Sequence, residues 1–209
     1  MVGKRVRSAQ HRTSRHREPV GILGGTFNPI HLGHLLIAQD ALEQAGLARV
    51  LLIPTAIPPH KPLADNVSVA HRLRMLKLAS AGNPQLAVDD LEIRRGGKSY
   101  SVDTFTELRE RLPMADFFFI IGADSLTELP QWYKVEQLVR LCRFLVFARP
   151  GYVAKPARRL AGLRYQLFST HPCEISSREI RERLASRQSI RYLVPEPVRR
   201  YIERQQLYQ

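Results

Sequence analysis

No apolar run in the 209-residue sequence approaches the roughly 20 residues needed to cross a bilayer. The longest strongly apolar stretch, 117–121, is closed off by Asp116 and Gly122 and reads as a buried strand. The basic N-terminus lacks the apolar segment of a secretory signal, so the cytoplasm is the expected compartment. Cysteine is scarce. Cys142 and Cys173 stand far apart without metal-ligand spacing, which suits two ordinary reduced thiols. Tryptophan occurs once, at Trp132. There is no internal repeat. Acids are missing from residues 1–17, where Lys4, Arg5, Arg7, Arg12, Arg15 and Arg17 stand; of the net charge of +13, these six leave +7 for the rest. Residues 1–18 therefore read as a basic, disordered leader, and 19–209 as one domain. Nucleic-acid binding is one reading of that leader and a solvated tail the preferred one. The remaining positive charge suits ligands carrying several phosphates.

The rest is an ordinary globular composition, 44% hydrophobic and 24% charged. Strands are expected at 20–23, 50–53, 86–88, 117–121, 144–148 and 165–168. Helices are expected at 34–45, 68–81, 101–112, 135–141, 177–186 and 195–206. Leu35, Ala38, Leu42 and Ala45 share one helix face, and Val102, Phe105 and Leu108 another. On 68–81 the apolar residues Leu73, Met75 and Leu76 stand among basic ones. Pro54, Pro58, Pro59 and Pro62 rule out regular structure through the loop that carries His60 and Lys61. This alternation predicts an α/β fold with a mainly parallel sheet, helices on both faces and a small C-terminal helical part. In such sheets ligands bind beyond the carboxyl ends of the strands. The loops at Gly24, Lys61, Gly122 and Arg149 should therefore share one rim.

Three constellations on that rim can carry chemistry. In the run from Gly24 to His34, glycines after a strand let backbone N–H groups approach an anion, and the following helix aims its positive end there. His31 and His34 lie on roughly one face, with Gly33 leaving room for a bulky ligand, and two imidazoles can stabilise charge building on a phosphate. A pair of surface or capping histidines is the plainer reading; a metal site lacks a third ligand nearby. In Ile175-Ser176-Ser177-Arg178-Glu179-Ile180-Arg181, Ser176 and Glu179 form a capping-box pattern. The two hydroxyls and two arginines make that helix start a second possible phosphate cradle, or only a capped, solvated basic face. Gly122-Ala123-Asp124-Ser125 could touch a ribose or base, or simply turn the chain. Trp132 could stack on a base or anchor the core. Ser101 and Asp103 are candidate caps for the helix that follows.

Together with Pro58-Pro59-His60-Lys61, Ser99–Thr104, Leu129–Tyr133 and Arg149-Pro150-Gly151, these motifs occur in the order found in nucleotidyltransferases with the His-x-Gly-His signature. From about Val20 onward the chain resembles the bacterial nicotinate-nucleotide adenylyltransferase family. The resemblance implies a Rossmann-like, doubly wound fold and transfer of AMP from ATP to nicotinic acid mononucleotide. Gly24, Gly25, Thr26 and Phe27 would hold ATP, with Gly122 and Asp124 at its adenosine. His31 and His34 would meet its phosphates and stabilise the transition state. Ile175, Ser176, Ser177 and Arg181 would hold the phosphates that leave. Thr104, Trp132 and Tyr133 would receive the nicotinate, and Lys61 and Arg149 would lie near the mononucleotide phosphate. Mg²⁺ would arrive with ATP rather than in a protein site, and no covalent intermediate is expected. Arg178 and Asn28 depart from the family's common Thr and frequent Asp. The alternatives are an enzyme for nicotinamide mononucleotide or phosphopantetheine, and, in a different class, a non-catalytic nucleic-acid-binding protein.

Overall fold

The computed structural model describes residues 17–59, 67–147 and 160–209. Residues 1–16 of the leader, Lys61 and Arg149 lie outside the described residues, while Glu18, expected in the leader, begins the first strand. Six strands, β1 (Glu18–Gly25), β2 (Arg49–Pro54), β3 (Leu86–Val88), β4 (Ala115–Gly122), β5 (Arg143–Phe147) and β6 (Tyr165–Phe168), form one sheet in the order β3-β2-β1-β4-β5-β6. Every pairing is parallel, so the doubly wound expectation holds. Between them run α1 (Leu32–Gln44), α2 (Val69–Ser80), α3 (Leu91–Arg95), α4 (Ser101–Arg111), α5 (Ala123–Glu128) and α6 (Val135–Leu141), followed by α7 (Ser177–Ala185) and α8 (Glu196–Arg204).

Side chains alternate across the sheet, and both faces are covered, which is why the strands read as continuous apolar runs. Val20, Ile22, Leu51, Ile53, Phe117, Phe119 and Ile121 meet α3 to α6 on one face. Leu23, Val50, Leu52, Ile120 and Leu145 meet α1, α2, α7 and α8 on the other. The C-terminal helices thus bury Ile180, Leu184, Val198 and Ile202 in the same layer as α1 and α2. Gly21 permits the close approach of that layer: a Cβ there would lie 2.7 Å from Leu47 Cδ1 and 2.9 Å from Val50 Cγ2.

Several details differ from the sequence expectations. Helix α1 starts at Leu32, not 34, because His31 takes the extended N-cap backbone (φ −143°, ψ 171°) and His34 becomes the third helical residue. Neither Ser101 nor Asp103 caps α4; its N-cap is Tyr100, with no side-chain cap bond. Two short helices were not anticipated. The five residues of α3 are stopped by Gly96 and Gly97, both at positive φ. The six of α5 replace what reads as a turn after Gly122. On α2 the fully buried residues are Met75, Leu76 and Arg72, whereas Leu73 is half-buried. Arg72 sits three and four residues before Met75 and Leu76, on their face of the helix.

Candidate functional site

The strand order reverses between β1 and β4, and the crevice beyond their carboxyl ends is where such a sheet binds ligands. Two cavities open there, on either side of the turn that follows β1.

The first encloses about 250 Å³ and is walled by Gly24, Gly25 and Thr26, by Tyr100 just before α4 and Thr104 within it, and by Phe119, Trp132 and Tyr133. Trp132 follows a one-turn helix, Leu129–Gln131, and sets its ring edge-on to Phe119 at 6.0 Å. It is half-buried, so it both anchors the core and presents an aromatic surface to the cavity. Tyr133 stands 45% exposed with its ring 4.5 Å from that of Tyr100. Thr104 is buried. Its hydroxyl donates to Glu92 Oε1 at 2.6 Å and accepts from Arg95 Nη2 at 3.0 Å. Sequence reasoning named Thr104 but missed Glu92, a buried carboxylate on the same wall.

The second cavity, about 270 Å³, brings His31, Gly33 and His34 against Ile175, Ser176 and Ser177, with Phe147, His171 and Cys173 completing it. The starts of α1 and α7, which the sequence separates by well over a hundred residues, meet here. Two positive helix ends and several N–H groups therefore converge on one space, an arrangement suited to a polyanion. Helix α7 is strapped to the turn after β1: Ser177 Oγ donates to the Pro29 carbonyl at 2.8 Å, and Arg181 Nη1 to the Asn28 carbonyl at 2.8 Å. Ser176 Oγ accepts from the Glu179 N–H at 3.1 Å, as the capping pattern implies, and that bond does not consume its own O–H. Asn28 is buried and accepts from Tyr208 O–H at 2.6 Å, so its neutral amide serves as a structural acceptor. Arg178 is exposed.

The two histidine rings lie 3.7 Å apart between centroids, and Phe27 packs edge-on to His34 at 5.0 Å. His34 Nδ1 accepts from the His31 N–H at 3.3 Å, which leaves the proton of a neutral His34 on Nε2. Dense packing, and then the nearby His31, hold its pKa well below 6.5. His34 is thus a neutral donor at pH 7, although part of its surface remains accessible. Gly33 has a different role from the one expected. A Cβ there would lie 3.1 Å from His31 Nδ1 and 3.4 Å from Cys173 Sγ, so the missing side chain makes room for the His31 ring itself.

Other expected residues are more dispersed. Gly24, Gly25 and Thr26 form the partition and line the first cavity rather than the histidine cleft. Phe27 is buried behind His34, with its backbone at φ 48°. Gly122 ends β4 in register with Phe147, which itself lines the cleft. Asp124 is exposed, and its Oδ1 accepts from the Ser125 N–H at 2.9 Å.

Two further devices hold the site and were missed. Arg72 is fully buried; its Nη1 donates to the carbonyls of Thr26 and Thr55, both at 2.8 Å, and its Nη2 to that of Ala56 at 3.3 Å. It joins the loop after β1 to the loop after β2. Asp40, buried on α1, accepts from the His171 backbone N–H at 2.8 Å and lies 2.7 Å from His171 Nδ1. This pair fastens the segment after β6 across α1 as the outer wall of the cleft.

Comparisons with known proteins agree with this geometry. A family model described as cytidylyltransferase-like matches residues 22–183. The chain is 45% identical over 194 residues to a protein of Synechococcus sp. (strain JA-3-3Ab) named probable nicotinate-nucleotide adenylyltransferase, covering 90% of this chain and 94% of that one. It is 43% identical over 191 residues to the nicotinate-nucleotide adenylyltransferase of Bacillus subtilis (strain 168), covering 91% and 98%. Among solved structures, Plasmodium falciparum nicotinic acid mononucleotide adenylyltransferase complexed with NaAD superposes with a TM-score of 0.74 at 20% identity, over 91% of this chain and 97% of that one. At that identity the likeness speaks for the fold.

Proposed function

Because this chain belongs to the nicotinate-nucleotide adenylyltransferase family, we propose the reaction its two cavities suit best: transfer of the adenylyl group of ATP to nicotinic acid mononucleotide, giving the deamido dinucleotide and pyrophosphate. It is a nucleotidyltransferase of pyridine-nucleotide biosynthesis, and its partners are ATP and the mononucleotide. The observation that carries the reading is the juxtaposition of a histidine-lined cleft between two helix starts with an aromatic-walled cavity, divided only by the Gly24–Thr26 partition.

In this reading ATP lays its phosphates between the starts of α1 and α7, and the pyridine ring enters beside Trp132. A phosphate oxygen of the mononucleotide attacks the α-phosphorus in line, and the bond to pyrophosphate breaks. The attacking oxygen is already anionic near neutral pH, so positioning and neutralisation of charge matter more than a general base. His34, neutral and carrying its proton on Nε2, donates toward charge that grows on the phosphates. His31, at the N-cap, stands beside it. Ser176 and the first N–H groups of α7 face the departing phosphates. Arg181 and Ser177 hold α7 to the turn after β1 and so keep the two helix starts in register.

Among the described residues no three His, Cys, Asp or Glu side chains gather to hold a metal ion. Mg²⁺ would arrive on the ATP phosphates and shield their charge. The cytoplasm is the proposed compartment, in keeping with two soluble nucleotide substrates. Among the described residues no helix is long and apolar enough to cross a membrane. Incubation with ATP, Mg²⁺ and nicotinic acid mononucleotide, followed by chromatography, should yield the deamido dinucleotide. ATP consumed without a dinucleotide product would refute the assignment.

A further inference from the structure

Glu92 takes no part in the reaction just derived, yet it is a buried carboxylate, 7% exposed, on the wall of the cavity assigned to the pyridine ring. The inference below rests on that assignment. Thr104 O–H donates to Glu92 Oε1 at 2.6 Å, and Ser99 stands on the same cavity wall. The Ser99 oxygen accepts in turn from the Ala56 N–H at 3.0 Å. Arg95, on the same short helix, reaches past Glu92 to Thr104 at 3.0 Å and pairs with Glu107 of α4 at 3.3 Å. Among the described residues no cation forms an ion pair with Glu92 itself.

An ionised carboxylate only accepts hydrogen bonds. While Glu92 is charged, the Thr104 proton therefore points at it and away from a ligand. A ligand carboxylate entering this cavity meets a second anion in a poorly solvated space, and a hydroxyl that offers it no proton. One proton resolves both conflicts. We propose that Glu92 takes up a proton from solvent when a pyridine nucleotide bearing a carboxylate enters the cavity, and that neutral Glu92 releases the Thr104 hydroxyl to donate to the ligand. Glu92 is then a positioning residue that sets the preference of the pocket between acid and amide. An amide is uncharged and brings its own N–H donors to the Thr104 oxygen, so it binds with Glu92 ionised.

The electrostatic surroundings support the uptake. Burial raises the Glu92 pKa above the ordinary carboxylate value, and Glu107 adds to this; the Thr104 and Ser99 hydroxyls and Arg95 oppose it without reversing the direction.

The test is calorimetric binding of nicotinic acid mononucleotide and of nicotinamide mononucleotide to the full chain, in buffers of different ionisation enthalpy. Both ligands carry the same phosphate, so the difference between them isolates the ring substituent. The acid should take up more protons than the amide, by as much as one. The KM for the acid should rise with pH, approaching tenfold per unit on the alkaline side. Glu92→Gln, neutral and of the same shape, should lose both the extra uptake and the slope. Equal uptake for the two ligands, or an unchanged slope in Glu92→Gln, overturns the proposal. If the variant does not fold, the comparison of ligands on the unaltered protein decides alone. An acid that neither binds nor reacts would end the adenylyltransferase reading itself, whereas binding and turnover without the extra proton would end only the role of Glu92.

Discussion

Replacing Arg72 by Met should loosen the wall of the first cavity. The guanidinium makes two bonds of 2.8 Å, to Thr26 and Thr55, and a longer one of 3.3 Å to Ala56. Hydrogen bonds to a charged group contribute about 1.5–3 kcal/mol each, net of the water they replace. Two good bonds and one weak one thus amount to roughly 4–6 kcal/mol. Relief of the buried cation's desolvation offsets part of this, as does Met filling the same volume. Burial lowers the Arg72 pKa, although the group stays charged at any ordinary pH. A net loss of about 3–4 kcal/mol remains. For a chain of this size that lowers Tm by roughly 6–16 °C. Because Thr26 and Thr55 line the first cavity, the KM for the mononucleotide should also rise, by about tenfold for a loss of 1.4 kcal/mol in positioning. Thermal unfolding by circular dichroism and steady-state kinetics read the two effects. Arg72→Lys, which keeps the charge but cannot fork between two loops, should fall between Met and the unaltered protein. A Tm within about 2 °C of the original, with KM unchanged, would refute the idea that this arginine holds the site.

His34→Ala should lower kcat by about 10²–10³ while leaving the Kd for ATP within about threefold, because the charge it meets develops in the transition state. Lost affinity with intact turnover would contradict that role. The depressed pKa of His34 gives a stability prediction with a definite sign. Stability is fully present above 6.5 and falls as the pH drops from there toward the lower folded value, since the native state resists the proton. His34→Asn should flatten this decline in the Tm of the nucleotide-free protein, and an unaltered decline would move its origin elsewhere. Trp132→Ala should raise the KM for the mononucleotide roughly tenfold, in line with about 1–1.5 kcal/mol of ring contact, and spare the KM for ATP; unchanged mononucleotide binding removes Trp132 from the site. Asp40→Asn weakens the fastening of His171 across α1, so the KM for ATP should rise about threefold to tenfold and that for the mononucleotide should not. The reverse pattern would assign the Asp40–His171 pair to the other cavity.

Strand placement was legible because β1, β2, β4 and β5 are buried on both faces, and a run such as Phe117–Ile121 cannot be anything else at that length. The histidine pair and the Ser176 cap were legible because their spacing is local. What escaped is non-local or too short. Helices α3 and α5 have five and six residues, below the length at which apolar periodicity can declare itself. Arg72 was visible in outline, since it shares the stripe of Met75 and Leu76, but a basic residue on such a stripe is ordinarily taken for the solvent side. Glu92 and Asp40 find their partners 12 and 131 residues away, and no periodicity encodes those meetings. The role of Gly33 changed for the same reason: the ring that needs its space belongs to His31, and only the N-cap backbone turns it there.

Pyrophosphate release from ATP and Mg²⁺ can be followed with three acceptors in parallel: nicotinic acid mononucleotide, nicotinamide mononucleotide and phosphopantetheine. Release should be largely confined to the first. Release with phosphopantetheine alone would keep the phosphate cleft but discard the reading of Thr104, Trp132 and Tyr133, and no release with any acceptor would contradict the assignment of this chain as an adenylyltransferase.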